Sequence, residues 1–250
     1  MGSSSSAPSS SLSDGSSFGT ILGVWAHPDD ETYLSAGLMA AAVRAKSRVA
    51  CVTATRGEEG SFDEERWPTS EMGAVREKEL MSSLAVLGVT DHRWLDYYDG
   101  TCASVDRADA VAKVTASVER VRPDTVLTFG PDGMTGHDDH KSVSAWTTEA
   151  FHASAPAGSK LYYATQTPEW SERFAPVMNR FNVFMEAGTP PVTPREELGI
   201  DFELQPDLLE LKLKAIEAHV SQVEGMIEAF GQDFFRQSMC AEFFRLAAVR

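Results

Sequence analysis

The run Ile21-Leu22-Gly23-Val24-Trp25-Ala26 is apolar throughout, is followed at once by His27-Pro28-Asp29-Asp30-Glu31, and leads into an Ala/Leu/Met-rich stretch that reaches Ser47. A short continuous apolar run reads as a strand buried on both faces, and a helix-length segment directly after it reads as the start of a βαβ unit. The same alternation continues outward. Val49 to Ala54, Arg93 to Leu95, Thr125 to Phe129 and Leu161 to Thr165 have strand character. Between them, Glu71 to Leu87 reads as a helix stopped by Gly88, Ala108 to Arg120 as another, and a fourth is expected to start near His140. Strands separated by helices of ten or more residues predict a parallel sheet with helices on both faces, a Rossmann-like three-layer α/β sandwich.

The flanks depart from this pattern. Residues 1–17 are serine-rich, cannot bury apolar area, and read as a flexible tail, which leaves 18–250 as a single domain. The opening Met1-Gly2-Ser3-Ser4-Ser5-Ser6 also fits the loose N-myristoylation pattern. Residues 167–205 mix Pro168, Pro176, Pro190, Pro191 and Pro194 with Trp170, Phe174, Phe181 and Phe184, and are expected to form a lid or rim over the sheet's edge or mouth. Residues 206–250 read as C-terminal helices, because Leu209, Ile216, Val220, Val223, Ile227 and Phe230 recur at helical spacing.

Composition narrows the function. The chain has 250 residues, 42% hydrophobic and 24% charged, and a formal net charge of −15 at pH 7. An acidic surface repels phosphate backbones and anionic lipid, so neither nucleic acid nor a membrane surface is expected as a partner, whereas a small molecule or a metal cation fits. Cys51, Cys102 and Cys240 form no CxxC pair or disulfide framework, and no run has the length of a membrane span or the shape of a secretory signal. A cytoplasmic protein is expected, and a homo-oligomer is compatible with the sequence.

In a parallel sheet, ligands bind beyond the carboxyl ends of the strands. The first strand is followed by His27-Pro28-Asp29-Asp30-Glu31, the second by Arg56-Gly57-Glu58, the third by Asp96 and Asp99, and the fourth by Asp132 and His137-Asp138-Asp139-His140. His27 and Asp30 are three residues apart at a strand-to-helix turn, and His137 and His140 repeat that spacing. Two histidines and a carboxylate with an open position are the donors of a hydrolytic zinc site. Taken singly, the first motif also reads as a helix cap and the second as a solvated acidic turn. Their coincidence at one sheet edge favours the metal. A dinucleotide site is disfavoured, since His27-Pro28-Asp29 stands where a GxGxxG loop would lie, and neither a GxSxG elbow nor a P-loop occurs.

The pair Ala26-His27-Pro28-Asp29-Asp30-Glu31 and Thr135-Gly136-His137-Asp138-Asp139-His140 strongly resembles the PIG-L/LmbE-like family of metal-dependent N-acetylglucosaminyl de-N-acetylases. Further matches lie in Thr55-Arg56-Gly57-Glu58, Arg76-Glu77-Lys78-Glu79, Tyr98-Asp99-Gly100 and Lys212 through His219 to Gln222, so the resemblance spans roughly residues 20–225. Asp138 stands where the family usually has proline.

The resemblance implies that His27, Asp30 and His140 hold a divalent metal, usually Zn2+ with Fe2+ as an alternative, and that Asp29 is the general base. His137, if protonated, would stabilise the oxyanion, and Asp139 would orient His137 or His140. Arg56, Glu58 and Asp99 are candidate sugar-binding residues. Tyr97-Tyr98 reads equally as a sugar platform or as packing, His219 as a satisfied structural histidine, and Arg76 with Glu79 as a helix-face pair; His92 and His152 carry no pattern.

The expected activity is removal of acetyl from an N-acetylated amino-sugar conjugate by metal-activated water. An amidase acting on a related thiol-sugar conjugate, and a non-catalytic metal- or sugar-binding member of the same fold, are the alternatives. Ser61 to Ser70 and Trp170 to Phe184 are expected to select the aglycone.

Overall fold

The computed structural model describes residues 15–250, so most of the serine-rich tail lies outside the described residues. After a 3-10 turn at Gly15–Phe18 come β1 (Ile21–Trp25), α1 (Asp30–Arg44), β2 (Val49–Thr55), α2 (Thr69–Leu87), β3 (Asp91–Tyr97), α3 (Arg107–Val121), β4 (Thr125–Phe129), α4 (Asp138–Ser154) and β5 (Lys160–Thr165). The chain continues with α5 (Pro168–Met178), β6 (Ile200–Glu203), α6 (Pro206–Glu217), α7 (Val220–Phe230), α8 (Gln232–Ser238) and β7 (Ala241–Val249).

The seven strands form one sheet in the order β3-β2-β1-β4-β5-β7-β6. Neighbours from β3 to β5 are parallel, while β7 runs antiparallel to both β5 and β6. Every residue of β1, β2 and β4 is buried, as continuous apolar runs between two helical layers require. Right-handed crossovers put α1 and α2 on one face and α3 and α4 on the other. In keeping with that, α6 packs on α1 and α2, and α3 packs on α4. Gly88 closes α2 at φ 74°, a left-handed conformation that only glycine adopts at little cost.

Chain order reverses between β1 and β4. Connections leave β1 towards β2 and β4 towards β5 on opposite faces, which opens a crevice at the carboxyl ends of these two central strands. The loops bearing His27 to Glu31 and Asp132 to His140 flank that crevice.

The C-terminal third differs from the helical expectation. Residues 206–250 contain α6, α7 and α8, but end in β7, a strand inserted between β5 and β6. The apolar stripe is also not one helix, because α6 stops at Glu217 and α7 restarts at Val220 with His219 between them. Residues 167–205 form α5, three 3-10 turns and β6, so part of the expected rim is the sheet edge itself. Cys51 and Cys102 are buried free thiols, and Cys240 is exposed. Among the described residues no helix is long and apolar enough to cross a membrane.

Candidate metal centre and active site

His27 leaves the end of β1, Asp30 opens α1 and His140 lies in the first turn of α4, so two helix starts deliver three donors to one point. His27 Nδ1 lies 3.1 Å from His140 Nε2. The Asp30 carboxylate is 3.8 Å from His27 Nδ1 and 3.4 Å from His140 Nε2. Donors arranged tetrahedrally at zinc-ligand bond lengths stand about 3.3 Å apart. All three residues are buried.

The far side of each ring is tied off. His140 Nδ1 donates to the Gly133 carbonyl at 2.8 Å, which leaves its Nε2 lone pair facing His27 and Asp30. Phe129 stacks on the His140 ring, with centroids 4.0 Å apart and planes 10° apart. His27 Nε2 faces Asp99 Oδ1 at 3.0 Å and Asp139 Oδ2 at 3.4 Å. Asp99 in turn accepts from the Glu59 amide, and Asp139 from the amides of Gly100 and Cys102. A histidine whose outer nitrogen is held by a carboxylate or a backbone carbonyl is oriented as a metal ligand requires. The donor set therefore suits a divalent cation.

Charge points the same way. Asp29, Asp30, Glu31, Asp99 and Asp139 crowd around one fixed cation, Arg76, whose Nη2 is 3.2 Å from Asp29 Oδ2. Burial works against a charged His27, yet hydrogen bonds to Asp139 and Asp99 and the charge of Asp30 raise its pKa to about 10. That extra proton is a positive charge in the place a metal would take. Burial, reinforced by Asp29 and opposed by His27, lifts the Asp30 carboxyl to about 7. Burial works against an ionised Asp99, but its hydrogen bond to His27, the charges of His27 and Arg76 and the Glu59 amide together hold it down at about 2. Burial and the charge of His27 keep His140 neutral.

Asp29 caps α1 at φ 110°, a left-handed backbone conformation. Arg76, from α2, holds it there by donating to the Pro28 carbonyl at 2.6 Å and to the Asp29 carboxylate. Glu31 accepts from the Asp29 amide. Burial raises the pKa of Asp29, against the opposing charge of Arg76. Arg76 threads past Gly57, where a Cβ would lie 2.0 Å from its Nη1. It is therefore not half of a helix-face pair with Glu79, which instead accepts from the amide and hydroxyl of Ser221. The sequence marks Arg76 as part of a motif, but its reach to Asp29 depends on the tertiary fold.

His137 caps α4, with its Nδ1 accepting from the Asp139 amide at 3.1 Å. Burial and the charge of His27 lower its pKa, so the ring is neutral with its hydrogen on Nε2. One ring nitrogen of His137 lies within 4.8 Å of nitrogens of His27 and His140. The Asp139 carboxylate meets His27 rather than His137 or His140, because it turns back to the Gly100–Cys102 loop, and Asp139 reaches His137 through its amide alone.

The expected sugar contacts are placed differently. Arg56 is engaged by Glu77 and Asp96 and lies over Trp94. Asp99 is buried behind His27, and Glu58 accepts from the Asp99 amide. Asp138 is exposed and pairs with Lys141. Tyr97 packs on Trp146 and donates to Asp109, whereas Tyr98 is half exposed and donates to Glu59. His219 is buried, with Nε2 3.6 Å from Glu31 Oε1 and 3.3 Å from Thr32 Oγ1, so it supports α1 from behind the site. Its Nδ1 has no hydrogen-bond partner, so the ring is only partly satisfied.

Beside the centre opens a cavity of about 240 Å³ that reaches Asp29, Asp30 and His140. Its wall includes Trp170, Met178, Val183 and Phe184 from the proline-rich segment, and Phe62 stands at 81% exposure on its lining.

Comparison with known proteins places this architecture. The family profile PIG-L, GlcNAc-PI de-N-acetylase, matches residues 22–151. A 1D-myo-inositol 2-acetamido-2-deoxy-alpha-D-glucopyranoside deacetylase of Rhodococcus erythropolis is 28% identical over 267 aligned positions, covering 91% of this chain and 90% of that enzyme. Among solved structures, the N,N'-diacetylchitobiose deacetylase from Pyrococcus horikoshii superposes with a TM-score of 0.67 at 22% identity, covering 96% of this chain and 87% of the other. The zinc-inhibited form of teicoplanin deacetylase Orf2 gives 0.65 at 15% identity, covering 92% and 98%. At these identities the two structures establish a shared fold.

Proposed function

The chain belongs to the PIG-L, GlcNAc-PI de-N-acetylase, family, and from that premise we propose that it is a metal-dependent hydrolase that removes acetyl from an N-acetylated amino-sugar conjugate. The observation that carries this reading is the convergence of His27 Nδ1, His140 Nε2 and the Asp30 carboxylate beside Asp29, with the outer nitrogen of each ring already held. His27, Asp30 and His140 would hold the ion, Zn2+ in this proposal. When bound, a divalent ion supplies Lewis acidity, which acidifies water and polarises the amide carbonyl.

The remaining chemistry falls to the chain. Asp29, raised by burial and restrained by Arg76, takes the proton of the attacking water. Neutral His137 donates its Nε2 hydrogen to the carbonyl oxygen as charge develops there. Because Nδ1 of His137 is occupied by a backbone amide, the ring carries no spare proton, so Asp29 returns the proton it collected to the leaving amine. Asp99 and Asp139 keep His27 in register, and Arg76 keeps Asp29 in place.

The test is acetate release from a panel of N-acetylglucosaminides, including GlcNAc-inositol, by the purified protein with and without a chelator. Metal-dependent release of acetate and free amine is expected. No release across the panel by protein shown to contain metal overturns the proposal.

A further inference from the structure

Gln166 directly follows β5, at the same carboxyl edge of the sheet where His27 and Asp30 lie beyond β1. Its backbone is clamped on both sides. The Gln166 amide donates to the Pro191 carbonyl at 3.0 Å, and its carbonyl accepts from the Thr193 amide at 2.8 Å. The hydroxyls of Thr165 and Thr193, 2.9 Å apart, close the same junction. The side chain, by contrast, is unengaged. Gln166 lines the cavity that reaches Asp29, Asp30 and His140. Of the buried side-chain polar atoms without a hydrogen-bond partner among the described residues, Gln166 Oε1 alone belongs to that wall. A buried acceptor left unmatched is costly, and one carried on a fixed backbone is preorganised for a ligand.

The rest of the wall defines the ligand's chemistry. Trp170, Met178, Phe184 and Met239 give it buried apolar surface. Thr135 Oγ1 is 3.2 Å from His140 Nδ1, Ser238 donates to the Phe235 carbonyl, and the Gln222 amide donates to Gly60 and Ser221. The Tyr33 hydroxyl has no hydrogen bond among the described residues. Burial and the charge of Asp29 raise its pKa, which puts it at the end of the cavity where the amide reacts. A purely apolar group would leave both Gln166 and Tyr33 unmatched. A pyranose of gluco configuration carries its hydroxyls around the rim and C–H groups on both faces, so it offers apolar contact to the aromatic walls and hydrogen bonds to the amide.

Size selects one ring. The cavity holds about 240 Å³, against ~150 Å³ for a protein cavity that admits benzene, which leaves room for a single substituted six-membered ring. Because the space begins at Asp29, Asp30 and His140, that ring is the one that bears the amide.

Resting on the amide-hydrolase reading above, we infer that Gln166 is a specificity-determining residue for the amino sugar: its side-chain amide takes the hydroxyls on C4 and C6 of the ring. A primary amide presents an acceptor and a donor side by side, and two neighbouring hydroxyls present the complement. The metal centre fixes the acetamide on C2. The ring atom opposite C2 is C5, so the C4 and C6 hydroxyls reach furthest from the reacting carbonyl, whereas the C3 hydroxyl stays beside it. β5 stands two places from β1 in the sheet, about 10 Å away, a gap that one ring and the Gln166 side chain bridge.

The test uses the whole protein loaded with Zn2+ and the best substrate of the panel above in its parent, 3-deoxy, 4-deoxy and 6-deoxy forms. Loss of the C4 or the C6 hydroxyl is expected to lower kcat/KM at least about tenfold, because the buried amide is left unpaired. Gln166→Met is expected to lower kcat/KM for the intact sugar by a similar factor, and in that variant removal of the same hydroxyl costs less than about twofold. Since the Gln166 side chain bonds nothing in the protein, metal content and melting temperature stay those of the parent protein, which a structural role would not allow.

Coupling to the C3 hydroxyl alone, equal deoxy losses in both proteins, parent-like kcat/KM in the variant, or a variant that melts lower or loses metal overturns the inference. Binding of methyl N-acetylglucosaminide and its 4-deoxy and 6-deoxy forms to metal-depleted protein, followed by ligand-observed NMR, separates this from a failure of the hydrolase proposal. Absence of turnover with metal bound sinks the enzyme reading. Weaker binding of a deoxy glycoside, with the difference gone in Gln166→Met, still supports the assignment, and equal binding of the three or none at all removes it.

Discussion

Asp29 is not a glycine, yet it sits at φ 110°. A non-glycine residue there costs about 1–3 kcal/mol and persists only where its surroundings impose it. Arg76 and Glu31 are those surroundings, gripping Pro28, the Asp29 carboxylate and the Asp29 amide. Asn tolerates the left-handed region about as well as Asp, so Asp29→Asn is expected to keep the fold and the metal while kcat falls by about 10²–10⁴-fold. Metal content by mass spectrometry, measured beside kcat, checks both halves. Asp99 acts one step further out. Asp99→Asn should weaken metal affinity by about 10–100-fold, measured by chelator competition, with activity restored in excess metal; an unchanged affinity would remove its role behind His27. The donors themselves were legible in the sequence because His27 and Asp30, and again His137 and His140, are neighbours along the chain. The contacts of Arg76 with Asp29 and of Asp99 with His27 are not legible in the sequence, because the groups they meet lie dozens of residues away and only the packing of α2 and the β3–α3 loop against β1 brings them there.

Among the elements, α1 is bound to the C-terminal part of the domain by a buried ion pair. Lys212 of α6 and Glu242 of β7 meet at 2.8 Å with almost no exposure. Lys212 donates to the Tyr33 carbonyl, and Glu242 accepts from the amides of Gly37 and Leu38. In a regular helix the Tyr33 carbonyl and the Gly37 amide are each other's partners, so the pair is spliced into the hydrogen-bond ladder of α1. Removing one member leaves a buried charge unmatched, and Lys212→Met is expected to cost about 3–5 kcal/mol in denaturant unfolding. At the other edge of the sheet, Asp91 of β3 binds Arg120 and Arg48, and these bonds hold its pKa below the usual carboxylate value. A carboxylate depressed in the folded state stabilises above its unfolded pKa of about 3.9 and loses that contribution as pH falls through the lower folded value. Asp91→Asn should therefore cost about 1 kcal/mol at pH 7, and the gap from the parent protein should close below about pH 4 in pH-dependent melts. Strands β1, β2, β4 and β5 are legible because buried parallel strands are short apolar runs with helices between them, whereas in the half-exposed edge strand β3 only Arg93 to Leu95 reads as strand. Neither β6 nor β7 is. Ile200–Glu203 is only four residues long, and Ala241–Val249 follows three helices and lacks a strand's alternation, with Glu242 to Phe244 buried in a row and Arg245 to Val249 half-exposed or exposed.

At the scale of the whole molecule, the net charge of −15 is uneven in its effect. Asp29, Asp30, Glu31, Asp99 and Asp139 lie together at the crevice between β1 and β4, where Arg76 and a protonated His27 balance only part of their charge. A cation bound there stabilises the folded form alone, by about 2.7 kcal/mol at one hundred times its dissociation constant. For a domain of this size that corresponds to about 5–11 °C in Tm. Chelation is expected to lower the melting temperature of metal-loaded protein by that amount, read by calorimetry, with readdition restoring it. The insertion of β7 between β5 and β6 sets a timetable for synthesis as well as a topology. While the ribosome is still making the chain, every parallel strand can pair as soon as it emerges, but β6 has no neighbour and the Gly37 and Leu38 amides have no Glu242 until translation passes residue 249. The helix that carries Asp30 is thus among the first elements made and among the last to be sealed, and a nascent chain stalled before β7 would offer proteases and chaperones an open sheet edge beside an unfinished α1.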